Sequence, residues 1–168
     1  MWSSEVTNMI ITGIWETLYM TLVSTLVGYV IGLPMGIILT VSDKDGIKPN
    51  AVLYKILDVI ANIVRSVPFI ILLVLLIPFT RLVVGKSYGS TATIVPLVIA
   101  AAPYIARMVE SSLKEVAAGV IEAARSMGAS NFTIITKVML VEARTSLLVG
   151  ATITLAVSYT HLTLPTKA

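Results

Sequence analysis

Side chains able to do covalent or acid–base chemistry are scarce in this chain of 168 residues. It has no cysteine, which excludes a thiol nucleophile, a disulfide framework and a thiolate metal site. Its single histidine, His161, has no second histidine or carboxylate near it in sequence with which to hold a metal or relay a proton. Gly85-Lys86-Ser87 has the ending of a phosphate-binding loop, but that loop needs a glycine five residues before Gly85, and position 80 is Thr. The chain is therefore expected to have no catalytic residues, no metal and no bound cofactor of its own. Most enzyme classes are disfavoured. One spaced pattern remains: Glu122-Ala123-Ala124, three residues, Gly128, nine residues, then Val138-Met139-Leu140-Val141.

Composition says what kind of element carries that pattern. The chain is 57% hydrophobic and 12% charged, with a mean hydropathy of +0.95. A soluble domain carries about 25% charged residues, so this chain cannot cover a water-facing surface, and an all-α, polytopic membrane bundle is expected. A net charge of +3, dispersed along the chain, argues against a nucleic-acid partner. A spanning helix needs about 20 apolar residues. Thr17 to Ser42 is uncharged over 26 residues, Val59 to Thr80 carries only Arg65, and Ser87 to Ala106 is an uncharged 20. A fourth run, Thr145 to Thr166, loses its apolar character after Val157, which leaves 13 residues and a helix too short to cross. Arg65 lies about one and a half turns into the second run, within snorkelling reach of the inner side.

Gly28, Gly32 and Gly36 fall at four-residue spacing along one helix face, where a neighbouring backbone can approach closely. Pro34, Pro68, Pro78, Pro96 and Pro103 recur through the first three runs and predict bent helices. Trp15 and Glu16 read as an interfacial aromatic and a solvated charge at the outer end of the first run.

Orientation follows from Lys and Arg. With the N-terminus outside, the inner segments hold eight (Lys44, Lys48, Lys55, Arg107, Lys114, Arg125, Lys137, Arg144) and the outer hairpin two, Arg81 and Lys86. The positive-inside rule favours that orientation and places residues 107–144 in the cytoplasm. The sequon Asn131-Phe132-Thr133 then lies on the inner face and is incidental. Val109, Leu113, Val116, Val120, Ala124 and Met127 recur at helical spacing and predict one apolar stripe, exposed on the inner face to a partner protein or the bilayer. Glu110 and Lys114 form an i,i+4 pair on the polar side. Gly128 marks a helix C-cap, and Ser130 an N-cap for a second helix from about Asn131.

The pattern Glu122-Ala123-Ala124, Gly128, Val138-Met139-Leu140-Val141 resembles the E-A-A-x-x-x-G signature, with I-x-L-P nine residues on, of ABC importer permeases. Val138 stands where the family has Ile, and Val141 where it has Pro. Arg65-Ser66-Val67-Pro68-Phe69-Ile70-Ile71-Leu72-Leu73, Ile77-Pro78-Phe79-Thr80-Arg81, Ala102 through Glu110 and Gly13 through Leu18 are similar to the membrane subunit of bacterial methionine importers, over roughly Gly13 to Ala156.

The resemblance implies a five-helix permease core in the inner membrane. It also implies a homodimer in lipid, two cytoplasmic ABC ATPase subunits that hold ATP and Mg, and an extracytoplasmic substrate-binding protein. Glu122, Ala123, Ala124 and Gly128 would form the coupling corner, Glu122 as a docking contact, the alanines for close approach and Gly128 for the turn. Glu122 paired with Arg125 in solvent is the plainer alternative. Residues 1–157 are read as the permease domain, with the coupling segment at about 107–144, and the substrate-contacting residues are open. Residues 158–168 depart from the family and are expected to be a non-native tail, so that the chain as written would not transport. A secondary transporter would want carboxylates inside the membrane, and the first three runs contain none; a membrane scaffold would leave the spaced pattern unexplained.

Overall fold

A computed structural model describes residues 4–163, with side chains to residue 160. All regular structure among these residues is helical, in keeping with the all-α expectation. Helix α1 (Ser4–Ser42) has 39 residues and α5 (Ser90–Lys114) has 25, and each is long and apolar enough to cross a membrane. Two bent helix pairs bring the candidate spans to as many as four. His161 and residues 164–168 lie outside the described side chains.

The packing of α1 on α5 follows from the glycine face. A Cβ on Gly32 would lie 2.7 Å from the Ala102 carbonyl oxygen and the Ile105 Cβ. One on Gly36 would lie 2.6 Å from the Ala106 oxygen and the Val109 Cβ. Only glycine admits such an approach. Lipid supplies no hydrophobic force between helices, so close van der Waals contact of this kind is what holds them.

The second apolar run is not one helix. Helix α2 (Ala51–Ser66) begins at Asn50, whose side-chain oxygen accepts the Leu53 amide at 3.1 Å, and stops before Pro68. Val67 is extended, at φ −82° and ψ 125°, as a residue before proline prefers. Helix α3 (Phe69–Leu75) leaves at 103° to α2, and α4 (Ile77–Val84) follows with Pro78 in its first turn. Of the five prolines, Pro68 alone marks this break. Pro34 lies within α1, and Pro96 and Pro103 within α5. Gly85, at φ 78°, caps α4 by donating to the Arg81 carbonyl at 2.9 Å, which gives the Gly85-Lys86-Ser87 fragment a turn-forming role.

The stripe expected on an exposed face is mostly core. The chain turns at residues 115–117 between α5 and α6 (Ala118–Ser126), so the residues share no single helix. Val109, Leu113, Val116 and Ala124 are buried together with Ile105, Ile134 and Met139. Val120 and Met127 remain exposed. Beyond Gly128 come α7 (Asn131–Thr133), a π-helical turn (Ile134–Met139) and α8 (Leu140–Glu142). The chain then bends by 69° near Ala143 into α9 (Arg144–Thr163).

The fourth run is also longer than expected, since α9 continues past Val157 for 20 residues in all, or about 30 Å. Hydroxyl groups do not end it, because they find partners within the helix or on α1. Thr154 and Ser158 are buried; Thr154 Oγ1 donates to the Gly150 carbonyl at 2.8 Å, and Thr25 Oγ1 of α1 donates to Ser158 Oγ at 3.4 Å.

Candidate functional site

The spacing of the Glu122 to Gly128 pattern is that of a helix end. Gly128 adopts φ 79°, a left-handed conformation in which a Cβ is strained. Its amide donates to the Arg125 carbonyl at 3.0 Å, and the Ala129 amide donates to the Ala124 carbonyl at 3.1 Å. Those two bonds make a Schellman motif. Ala124, whose carbonyl takes the longer-range bond, is buried against the π-helical turn, while Glu122 and Ala123 face outward. The glycine thus fixes where α6 ends, and the end fixes which of the three preceding residues are presented. Ser130 Oγ then accepts the Thr133 amide at 3.2 Å and starts the next helix, as its position in the sequence suggests.

Glu122 and Arg125 form no ion pair among the described residues. Arg125 instead donates to the Ile47 carbonyl at 3.5 Å, across to the α1–α2 loop. Both line a cleft of about 600 Å³ between α6, that loop and the end of α5, and Asp43, Lys44 and Lys114 line it as well. An exposed, uncommitted carboxylate at the mouth of a charged cleft is available to a partner.

An ionic network holds the cleft in shape. Lys114 lies 2.6 Å from Asp43 and 2.8 Å from Glu110, and Glu110 lies 2.7 Å from Arg107. Arg107 also pairs with Asp58 and donates to Asn62 at 3.2 Å, and the Tyr54 hydroxyl donates to Glu110 at 3.1 Å. The Lys114 ammonium stands 5.7 Å from the centre of the Tyr54 ring. Glu110 is buried, 4% exposed, and is tolerated there because two cations and a hydroxyl satisfy it. The hydrogen bond from Lys114 holds the Asp43 carboxyl below its ordinary pKa.

Sequence reasoning found one edge of this network, the Glu110–Lys114 pair, and placed it on a solvated face. Apart from Arg107 with Glu110, the rest joins residues 45 to 71 positions apart, such as Arg107 with Asn62 and Lys114 with Asp43. Arg107 and Glu110 at i,i+3 were the remaining local sign.

A model of the family described as "Binding-protein-dependent transport system inner membrane component" matches residues 28–166. The chain belongs to this family. It is 54% identical over 147 residues to the D-methionine transport system permease protein MetI of Salmonella typhimurium, covering 88% of this chain and 68% of that relative. The probable D-methionine permease of Vibrio cholerae is 46% identical over 163 residues, covering 96% and 72%. Among solved structures, the inward-facing MetNI methionine ABC transporter superposes with a TM-score of 0.94 at 50% identity, covering 97% of this chain and 76% of that one. An amino acid ABC transporter at 22% identity and a TM-score of 0.70 shares the fold. Membership in the inner-membrane-component family fits the apolar helices.

Proposed function

We propose that the chain is the permease subunit of an ATP-driven methionine importer, and that its Glu122 to Gly128 corner receives the ATPase. The observation that carries the substrate class is 54% identity, over 88% of the chain, to a D-methionine permease. The docking assignment is supported by the outward-facing Glu122 and Ala123 on a helix end that Gly128 fixes, beside a cleft open to a partner.

In this reading the N-terminus is extracytoplasmic, and the corner, the α1–α2 loop and the ionic network face the cytoplasm, where Lys and Arg are concentrated. The chain spans the inner membrane several times and pairs as a homodimer. ATP and Mg are held by the partner ATPases, and this subunit performs no chemical step. ATP-driven closure of the ATPase dimer moves the α6 corner. Ala124 transmits the movement through the core it shares with Val109 and Leu113 of α5, and α5 carries α1 with it along the glycine face. A rigid, close-packed path of this kind turns a displacement at the corner into rocking of whole helices. Substrate delivered by a binding protein on the outer side shifts the same equilibrium, so it stimulates ATP hydrolysis.

The test is Gly128→Leu in the complete permease assembled with its ATPase. A bulky residue resists φ 79° and shifts the corner. Membrane insertion should persist while ATPase copurification or substrate-stimulated hydrolysis falls; full assembly and coupling in this variant would overturn the docking assignment.

A further inference from the structure

Helix α2 is held by charge where α1 and α5 are held by packing. Ala61 is the one buried residue among the 16 of α2, and Val52, Ile56, Val59, Ile60 and Ile63 are exposed. Its polar side meets the last two turns of α5. Asp58 pairs with Arg107, Asn62 accepts from Arg107 at 3.2 Å, and the Tyr54 hydroxyl donates to Glu110 at 3.1 Å. These contacts have ready substitutes. Arg107 has a second carboxylate on its own helix, Glu110 at 2.7 Å, and keeps that counter-charge if α2 departs. Asp58 has Lys55 one turn before it on α2, exposed and in no ion pair among the described residues, at the i,i+3 spacing that lets the two meet. The closed arrangement also leaves a donor over, since the buried Arg107 Nε has no hydrogen-bond partner among the described residues. Removing one partner of a charge pair strands the other, but partners that can each re-pair within their own helix separate at small cost.

We propose that Asp58 and Arg107 form a releasable latch between α2 and α5. Latched, Asp58 pairs with Arg107; released, Asp58 turns to Lys55, Arg107 keeps Glu110, and α2 moves off α5. Two arrangements of the same charges, each with its carboxylates paired, make the element bistable rather than merely adhesive. The latch lies where movement of the α6 corner reaches it, because Lys114, which shares Glu110 with Arg107, is four residues before the start of α6. That ATPase closure drives the release rests on the docking reading given above, whereas the exchange of partners does not.

The test uses Ala61→Cys as the single thiol of this cysteine-free chain, in the complete permease with its ATPase and without nucleotide. Position 61 is fully covered and adjoins Asn62 at the charged end of the contact, so a small water-soluble thiol reagent reaches it when α2 moves off. Leu57→Cys, partly buried one turn earlier, is the second reporter if position 61 does not accept the sulfur. Adding Asp58→Asn should speed modification about tenfold, and Asp58→Glu should return it to within about twofold of the parent. Lys55→Gln should slow it about twofold, because it removes the partner that Asp58 takes on release; a fixed structural tie would not respond to this change. An unchanged rate in Asp58→Asn, an equal rise in Asp43→Asn, whose bond to Lys114 does not involve α2, or a rate in Lys55→Gln at or above the parent's overturns the latch. ATP with vanadate, which traps the ATPase closed, should also speed modification of the parent. Absence of that rise in a complex where Asp58→Asn and Lys55→Gln behave as expected defeats the ATPase as driver and leaves the latch standing.

Discussion

Lys114, the last residue of α5, lies 2.6 Å from Asp43, the first residue after α1, so the two long helices are joined by charge at one end as well as by the glycine face between them. Asp43 has its pKa lowered by that hydrogen bond. A carboxyl whose folded pKa is depressed contributes stability above its unfolded pKa and loses it as pH falls through the folded value. Asp43→Asn should therefore lower the stability of the purified protein at pH 7 by a small amount, under about 1 kcal/mol for a partly exposed pair, read as a slightly lower thermal midpoint. The gap between variant and parent should shrink as the pH is taken below 3.8, the ordinary value for this carboxyl. A gap that widens on acidification would contradict the pairing.

The glycine face makes a sharper prediction. Gly36→Val should destabilise the α1–α5 contact by about 1–3 kcal/mol or more, because a side chain there meets the Ala106 carbonyl and Val109. Gly13→Ala, where nothing lies within 4 Å of the added carbon, should leave the thermal midpoint unchanged or raised. Equal thermal midpoints for the two variants in detergent would remove the close-packing argument.

Gly128 separates conformational strain from crowding, since a Cβ there meets nothing within 4 Å. Gly128→Ala should cost about 1–2 kcal/mol from the left-handed conformation alone, and Gly128→Asn less. Calorimetry or thermal denaturation of the two variants would show the order, and Ala more stable than Asn would contradict a Schellman end at this position.

Much of this architecture was legible in the sequence. The glycine spacing marked the face of α1 that a neighbour approaches, though not that the neighbour is α5, Gly128 and Ser130 marked the corner, and the charge-free runs located three of the apolar segments. The errors have physical causes. Counting charges treats an apolar run as a helix, but Val67 before Pro68 forces an extended residue and breaks the second run. Helical periodicity finds an apolar stripe without saying what covers it, and here the π-helical turn and α1 cover Val109, Leu113 and Ala124. A charge-free boundary also cut two helices short, α2 at its start and α5 at its end: they extend to include Asp58 and Glu110, which are tolerated because Arg107 and Lys114 reach them. Long-range pairing of that kind leaves no periodic signal.

Orientation is open to a direct check in a chain without cysteine. Single cysteines at Ser4 and at Met127, which is 80% exposed beside the corner, should differ in intact cells treated with a membrane-impermeant thiol reagent. Labelling at position 4 and protection at position 127 is expected. Reversed labelling would move the coupling corner to the wrong side of the membrane for an ATPase.

The central claim is that this permease moves methionine by coupling to ATP hydrolysis in a partner. ATP-dependent uptake of labelled methionine into proteoliposomes tests it most directly, using the complete permease with its ATPase and binding protein. The account predicts saturable uptake that needs ATP inside the cytoplasmic compartment and is lost when the ATPase is omitted. Uptake driven by an ion gradient without ATP, or no methionine uptake from the fully assembled transporter, would contradict it.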